Sequence, residues 1–116
     1  MNTENESLPK VVALPTKTGY KLVQQNQILY CKAAGNYTEV FFTNGSPLII
    51  SRKLKETAES LANDWFLRIH QSYLVNMRFA TQYLRKSGGQ LMMSDGQQFP
   101  ISKNHKAKVL SFFKFV

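Results

Sequence analysis

Two dipeptides that favour tight β-hairpin turns, Asn44-Gly45 and Asp95-Gly96, constrain the fold of this chain more than any other feature. Asn, Asp and Gly tolerate the positive φ angles that two-residue hairpin turns require. Residues 37–43 and 48–51 flank the first dipeptide and are rich in aromatic and β-branched side chains, which suit a pleated, half-buried surface. We therefore predict an antiparallel pair of strands across each dipeptide.

Strand and turn signals recur at intervals of roughly 8–12 residues along most of the chain. The repeat of apolar residues changes at Leu54, Ala58 and Leu61, which follow an i, i+4, i+7 spacing. This spacing predicts an amphipathic helix of about three turns, and Ser51 is its predicted N-cap. A second helix is predicted over residues 103–115. The pattern favours an antiparallel all-β sandwich or barrel-like core that carries small helices. The predicted strands are residues 11–14, 20–23, 27–31, 37–43, 48–51, 65–70, 72–76, 81–85, 90–94 and 98–102.

The length of 116 residues and the hydrophobic content of 43% fit one folded domain. We assign this domain to residues 11–116 and interpret residues 1–10 as a flexible tail or linker. No apolar run approaches the roughly 18 residues that cross a bilayer, and the first residues lack the apolar core of a signal peptide. We therefore expect a cytoplasmic protein with no membrane segment in this chain.

The chain is strongly basic, with a formal net charge of +8. Two of its seven acidic residues, Glu4 and Glu6, lie in the predicted tail. Over residues 10–116 the remaining five acidic residues face 15 basic ones, which gives +10. Such an imbalance favours a polyanionic partner, either nucleic acid or an anionic membrane, over the alternative of a merely solvated basic surface.

The residues that could carry catalysis are few. A Cys-His pair would have to combine Cys31 with His70 or His105. Cys31 ends an apolar strand pattern, where a cysteine usually serves as a small packed hydrophobe. Gly88-Gly89 opens no predicted helix and therefore does not resemble a phosphate-binding loop. We predict that the protein is not an enzyme, with no catalytic residues, no metal and no cofactor.

Three stretches of the sequence carry a family resemblance. They are CKAAGNY at 31–37, FLRIHQSYLVN at 66–76 and DGQQFPISK at 95–103. Together they resemble LytTR (LytR/AlgR-type) DNA-binding domains. The first stretch is similar to the strand-loop-strand element of that family, the second to its most specific motif, and the third to its final motif. The order, the spacing and the intervening helix fit this resemblance over residues 15–113.

The resemblance implies a mainly β fold of antiparallel sheets with one short central helix and a short C-terminal helix. It also implies sequence-specific binding of double-stranded DNA in bacterial transcription regulation, with loops that contact major grooves. Promoter sites of this kind are expected to be direct repeats bound by two copies. LytTR domains usually follow a receiver domain of a two-component response regulator or a membrane-bound sensor. We accordingly expect either a stand-alone regulator or an effector domain whose receiver or sensor domain is missing from this chain.

The predicted contacts combine side-chain chemistry with this resemblance. Lys103 can bind guanine or phosphate, and the resemblance places a base-contacting cation at its position. Gln71 stands where the family often has Arg, and Gln71 and Asn36 both offer the bidentate pattern that reads adenine. Asn36 also suits a turn residue with positive φ. Arg52 precedes the helix start, where cations and backbone N–H groups bind phosphate. The full set of predicted DNA contacts is Lys103, Asn104, Gln71, His70, Ser72, Asn36, Tyr37, Thr38, Arg52 and Lys53.

Two other functions remain compatible with the composition. A single-stranded nucleic-acid binder of barrel type would use exposed aromatic rings as stacking platforms. A protein-interaction module would instead use its basic face to bind an acidic partner. Selective binding of duplex DNA separates the first prediction from both alternatives.

Overall fold

The structure is a computed structural model that describes residues 11–61 and 65–116. Over these residues, ten strands form three antiparallel sheets and two α-helices lie between or after them. The predicted mainly β architecture with one central and one C-terminal helix is therefore confirmed, whereas the predicted tail at residues 1–10 lies outside the described residues. The elements are β1 Val11–Thr16, β2 Gly19–Gln24, β3 Ile28–Ala34, β4 Tyr37–Phe42, β5 Leu48–Ile50, α1 Leu54–Ser60, β6 Phe66–His70, β7 Tyr73–Asn76, β8 Ala80–Leu84, β9 Gln90–Met93, β10 Gln98–Pro100 and α2 Lys103–Ser111.

A five-stranded sheet in the order β5-β4-β3-β7-β6 forms the centre of the domain. Side chains alternate along its middle strand, so that Cys31 and Tyr30 point to opposite faces. The Cys31 face packs against α1 and the two-stranded β1–β2 hairpin. The Tyr30 face packs against α2 and a three-stranded sheet in the order β10-β9-β8. The central sheet is therefore covered on both faces, as in a sandwich.

The predicted hairpins form, with local differences. β4 and β5 pair across Asn44-Gly45, with Val40 opposite Leu48, so the connection is a loop of several residues rather than a two-residue turn. β9 and β10 pair across Asp95-Gly96 as predicted. The prediction for β3 ended too early, because its ladder with β4 continues to the pair Ala34–Tyr37.

Both helices are shorter than their sequence patterns indicated. α1 has seven residues, about two turns, and its N-cap is Lys53 rather than Ser51. The Glu56 carboxylate accepts the Lys53 backbone N–H at 3.4 Å, which fixes the start of the helix at that residue. α2 ends at Ser111 because Phe112 and Phe113 donate to carbonyls three residues back, which tightens the last turn. Within the described part of the chain, neither helix is long and apolar enough to span a membrane.

Candidate nucleic-acid interface

Several turns of the chain lie together at one end of the strands of the central sheet. Neighbouring strands in this sheet are antiparallel, so the β3–β4 turn, the β6–β7 turn and the exit of β5 lie at the same end. The Ala33 N–H donates to the Ser72 carbonyl at 3.0 Å and connects the two turns directly. We call residues 35–37, 52–53, 70–72 and 102–104 the polar edge.

The start of α2 completes the polar edge. The Ser102 N–H donates to the Ile69 carbonyl at 3.0 Å, which places the helix start beside the end of β6. Lys103 and Asn104 are exposed there, next to the exposed Gln71 of the β6–β7 turn. The final motif and the most specific motif of the sequence therefore lie side by side in the fold.

Most of the predicted contact residues are accessible on this edge. In the β3–β4 turn the positive φ of 62° belongs to Gly35, whereas Asn36 has no positive φ. The turn therefore does not require an Asn, and its side chain is exposed to solvent. The exposed members of the predicted set are Asn36, Tyr37, Arg52, Lys53, Gln71, Lys103 and Asn104, and the half-buried members are His70 and Ser72.

Thr38 is an exception, because it is fully buried. Alternation along β4 exposes Tyr37 and turns Thr38 toward α1. The Thr38 hydroxyl donates to the Arg52 carbonyl at 2.7 Å and lies 3.4 Å from the Thr57 hydroxyl. The prediction that Thr38 contacts DNA is therefore wrong, and its hydroxyl instead holds the segment that carries Arg52.

The β6–β7 turn has a specific internal geometry. The register shifts between Arg68 and His70, so that His70 pairs with Tyr73 and the two rings lie 5.1 Å apart. The Ser72 N–H donates to His70 Nδ1 at 3.0 Å. A ring nitrogen that accepts a hydrogen bond carries no proton, so Nε2 carries the hydrogen of the neutral ring. His70 can therefore offer a donor at Nε2.

Positive charge is concentrated beside the helix start. Ser102 Oγ lies 2.6 Å from His105 Nδ1. Burial lowers the pKa of His105, and the neighbouring positive charges of Arg68 and Lys108 lower it further. The cations Arg68 and Lys108 near His105 place positive charge around the start of α2, which suits an anionic partner.

Sequence reasoning missed a basic turn next to α2. The Gly89 N–H closes the turn on the Lys86 carbonyl at 2.9 Å, and the Ile101 N–H donates to the Gly89 carbonyl at 3.0 Å. Ser87 in this turn has a φ of +52°, an uncommon conformation for a residue other than glycine. The sequence indicates only that Gly88-Gly89 opens no helix, whereas in the fold Gly89 lies beside the Lys106 side chain of α2.

Cys31 lies in the core, as its apolar sequence context predicted. It is fully buried among the residues between the central sheet and α1. Burial raises the pKa of its thiol to about 12, so the thiolate that a nucleophile needs is absent at neutral pH. Its position gives no support to a cysteine-dependent reaction.

Comparison with known proteins identifies a family and a similar fold. The family model for the LytTr DNA-binding domain matches residues 18–114. A solved LytTr DNA-binding domain from Bacillus cereus is similar to this chain with a TM-score of 0.76, at 24% sequence identity, over 90% of this chain and 97% of that chain. At this identity the likeness is one of fold. No curated protein matches the chain.

Proposed function

This chain belongs to the LytTR family of DNA-binding domains, and we propose that it acts in transcription regulation by recognising specific sequences in double-stranded DNA through its polar edge. The observation that carries the proposal is the gathering of exposed amides and cations on one side of the fold. Gln71, Asn36 and Lys103 belong to three different sequence motifs and lie on this single edge. Amides and cations are the side chains that read base edges in the major groove.

The dimensions of the edge suit duplex DNA. Strands are spaced about 4.8 Å apart, so the ends of the five strands span roughly 19 Å. This width lies between the width of a major groove, about 12 Å, and the length of one turn of B-DNA, about 34 Å. Two-residue turns are also narrow enough for a major groove of about 12 Å. We infer that the neighbouring β3–β4 and β6–β7 turns reach base edges in a major groove, while the exit of β5 lies at the flanking phosphates.

The residues divide into base-reading and phosphate-binding groups. Gln71 can bind adenine bidentately, and Lys103 can donate to guanine O6 and N7. His70 adds a single donor at Nε2. Arg52 and Lys53 at the opposite end of the edge are assigned to phosphate, where they set position and affinity but not sequence. The remaining contacts proposed for the edge are Asn36, Tyr37, Ser72 and Asn104.

The structure favours duplex DNA over single strands for a specific reason. Aromatic rings near the polar edge already pack on one another, since Tyr73 stacks on Phe99 at 4.5 Å and Tyr30 meets Phe99 at 4.8 Å. Rings held in this way are not free to stack on bases. Tyr37 is the exposed ring of the edge, whereas single-strand binders use several successive platforms.

The regulatory setting is also part of the proposal. We propose that the domain is cytoplasmic and serves as the effector of a response regulator or a similar regulator. It would bind promoter sites built as direct repeats, with one copy of the domain on each repeat.

Competition binding tests the proposed function. A labelled duplex that contains a site selected by the protein is challenged with unlabelled specific duplex, scrambled duplex and the separated strands. We expect the specific duplex to compete best, and the affinity to fall steeply with salt because phosphate contacts release cations. Equal competition by single strands supports the barrel-type binder. Equal and weak competition by all three DNAs supports a protein-interaction module.

A further inference from the structure

The β6–β7 turn contains an interruption of the strand ladder. β6 and β7 pair Arg68 with Leu74 and then His70 with Tyr73, so β6 has one extra residue, Ile69. Such a bulge breaks the regular ladder and redirects the side chains that follow it. Backbone carbonyls beyond the bulge therefore need other donors, because buried or crowded carbonyls without a partner destabilise a fold.

Arg68 supplies those donors. Its Nε donates to the His70 carbonyl at 3.1 Å, and its Nη2 donates to the Gln71 carbonyl at 2.5 Å. Both acceptors belong to the turn that presents Gln71. A planar guanidinium can make two such bonds in a fixed geometry, whereas an ammonium is a point donor on a flexible stem.

The turn is also held from its other side. Ser72 N–H binds His70 Nδ1 at 3.0 Å, and the Ser72 carbonyl accepts from Ala33 of β3. The guanidinium therefore completes a set of bonds that fixes every residue from His70 to Ser72. A side chain that reads a base must be held within a fraction of an ångström, which requires this kind of support.

We propose that Arg68 is a positioning residue, which fixes the β6–β7 turn so that Gln71 and His70 meet the base edges in one geometry. This inference rests on the proposed function and extends it to a residue that need not touch DNA. Arg68 is half-buried, unlike the exposed Arg52 that we assign to phosphate. Arg68, which lies just outside the polar edge, and Arg52, which lies within it, therefore have different tasks.

We call the two hydrogen bonds from Arg68 to the His70 and Gln71 carbonyls the clamp. Amide hydrogen exchange in the free protein tests whether the clamp holds the turn. Arg68→Lys keeps the charge but loses the two-pronged geometry, and Arg68→Gln removes the charge. We expect exchange at Ser72 to be about tenfold faster in both variants, with no change at Thr43, whose N–H binds the Gln27 carbonyl at the opposite end of β3 and β4. Unchanged exchange at Ser72 in both variants would overturn the clamp.

DNA binding tests the use of the clamp. The preferred duplex is compared with duplexes altered at the base pair whose preference Gln71→Ala relaxes. We expect Arg68→Lys and Arg68→Gln to reduce this discrimination at least threefold without changing the dependence of affinity on salt. Arg52→Gln is the matched control, and should lower the salt slope by about one while discrimination is retained.

The opposite pattern identifies a phosphate contact. Arg68 binds phosphate, and the positioning role is wrong, if two results occur together. Arg68→Lys retains the affinity of the wild type, and Arg68→Gln weakens the dependence of affinity on salt while the discrimination between duplexes is unchanged. If the wild-type protein shows no selective duplex binding at all, the proposed function fails and the positioning role fails with it. The exchange measurement still reports in that case whether the clamp exists.

Discussion

The Tyr30 hydroxyl donates a 2.6 Å hydrogen bond to a carboxylate oxygen of Asp95, and this bond ties the middle strand of the central sheet to the β9–β10 turn. Asp95 also accepts the Gln97 N–H at 3.0 Å through its other oxygen. Burial raises the pKa of Tyr30, and the Asp95 carboxylate raises it further. The aspartate of this Asp-Gly turn therefore shapes the hairpin and also joins it to the core.

Tyr30→Phe should destabilise the domain by about 1–2 kcal/mol, because a hydrogen bond to a charged acceptor is lost while the ring remains. Urea unfolding at neutral pH measures the change. Tyr20→Phe, at an exposed ring of β2, should leave the unfolding free energy unchanged and serves as the control. Equal stabilities for Tyr30→Phe and the wild type would show that the bond contributes nothing to stability.

Lys103→Ala should weaken binding to the preferred duplex by about 1–3 kcal/mol and relax the preference at one base pair, as expected when a base contact is removed. Fluorescence anisotropy at a fixed salt concentration checks both effects. Lys114 is exposed beyond the other end of α2, so Lys114→Ala is a matched change of charge away from the edge. If the two alanine variants bind alike and retain the same sequence preference, Lys103 does not read a base.

Thr38→Val should lower stability by about 1–3 kcal/mol, because the partly buried hydrogen bond to the Arg52 carbonyl is lost while the shape of the side chain is preserved. If Thr38 instead contacted DNA, its replacement would lower the affinity for DNA and leave the stability of the fold unchanged. Thermal unfolding and DNA titration of the same preparation separate the two. A stable variant with weak DNA binding would return Thr38 to the interface.

Stability should decrease as the pH falls from about 7 to 5, and His105 should contribute to this decrease. Its pKa in the folded protein lies below the ordinary value of about 6.5, so the unfolded chain takes up the proton more readily. His105→Gln should therefore show a smaller loss of melting temperature over this range. Parallel pH profiles for the variant and the wild type would mean that neither burial nor the charges of Arg68 and Lys108 disfavour the charged form of His105.

Local signals predicted most of the architecture. Strands and hairpins depend on side-chain period and on turn residues such as Gly96, which the sequence displays directly. Ser51 is the conventional type of N-cap residue, but α1 begins two residues later. Its N-cap is Lys53, because the Glu56 carboxylate accepts the Lys53 backbone N–H. Helix length was overestimated at α2 because aromatic residues continue the apolar pattern beyond Ser111.

The candidate site was harder to predict than the fold. Thr38 was misassigned because the phase of alternation in β4 depends on α1, which covers that face. The task of Arg68 depends on a bulge at Ile69, and sequence periodicity does not show a register shift. For Gln71 and Lys103 the structure places the side chains on one edge, and their roles in base recognition stay predictions.

The central claim is sequence-specific recognition of duplex DNA, and selection from random duplex DNA tests it most directly. We predict enrichment of one short motif that recurs as a direct repeat, with the two copies about 10 base pairs apart or a multiple of that spacing. The enrichment should disappear when Gln71 and Lys103 are both replaced by Ala. Retention of DNA without any enriched motif, at a salt concentration where the protein still binds, would contradict the account.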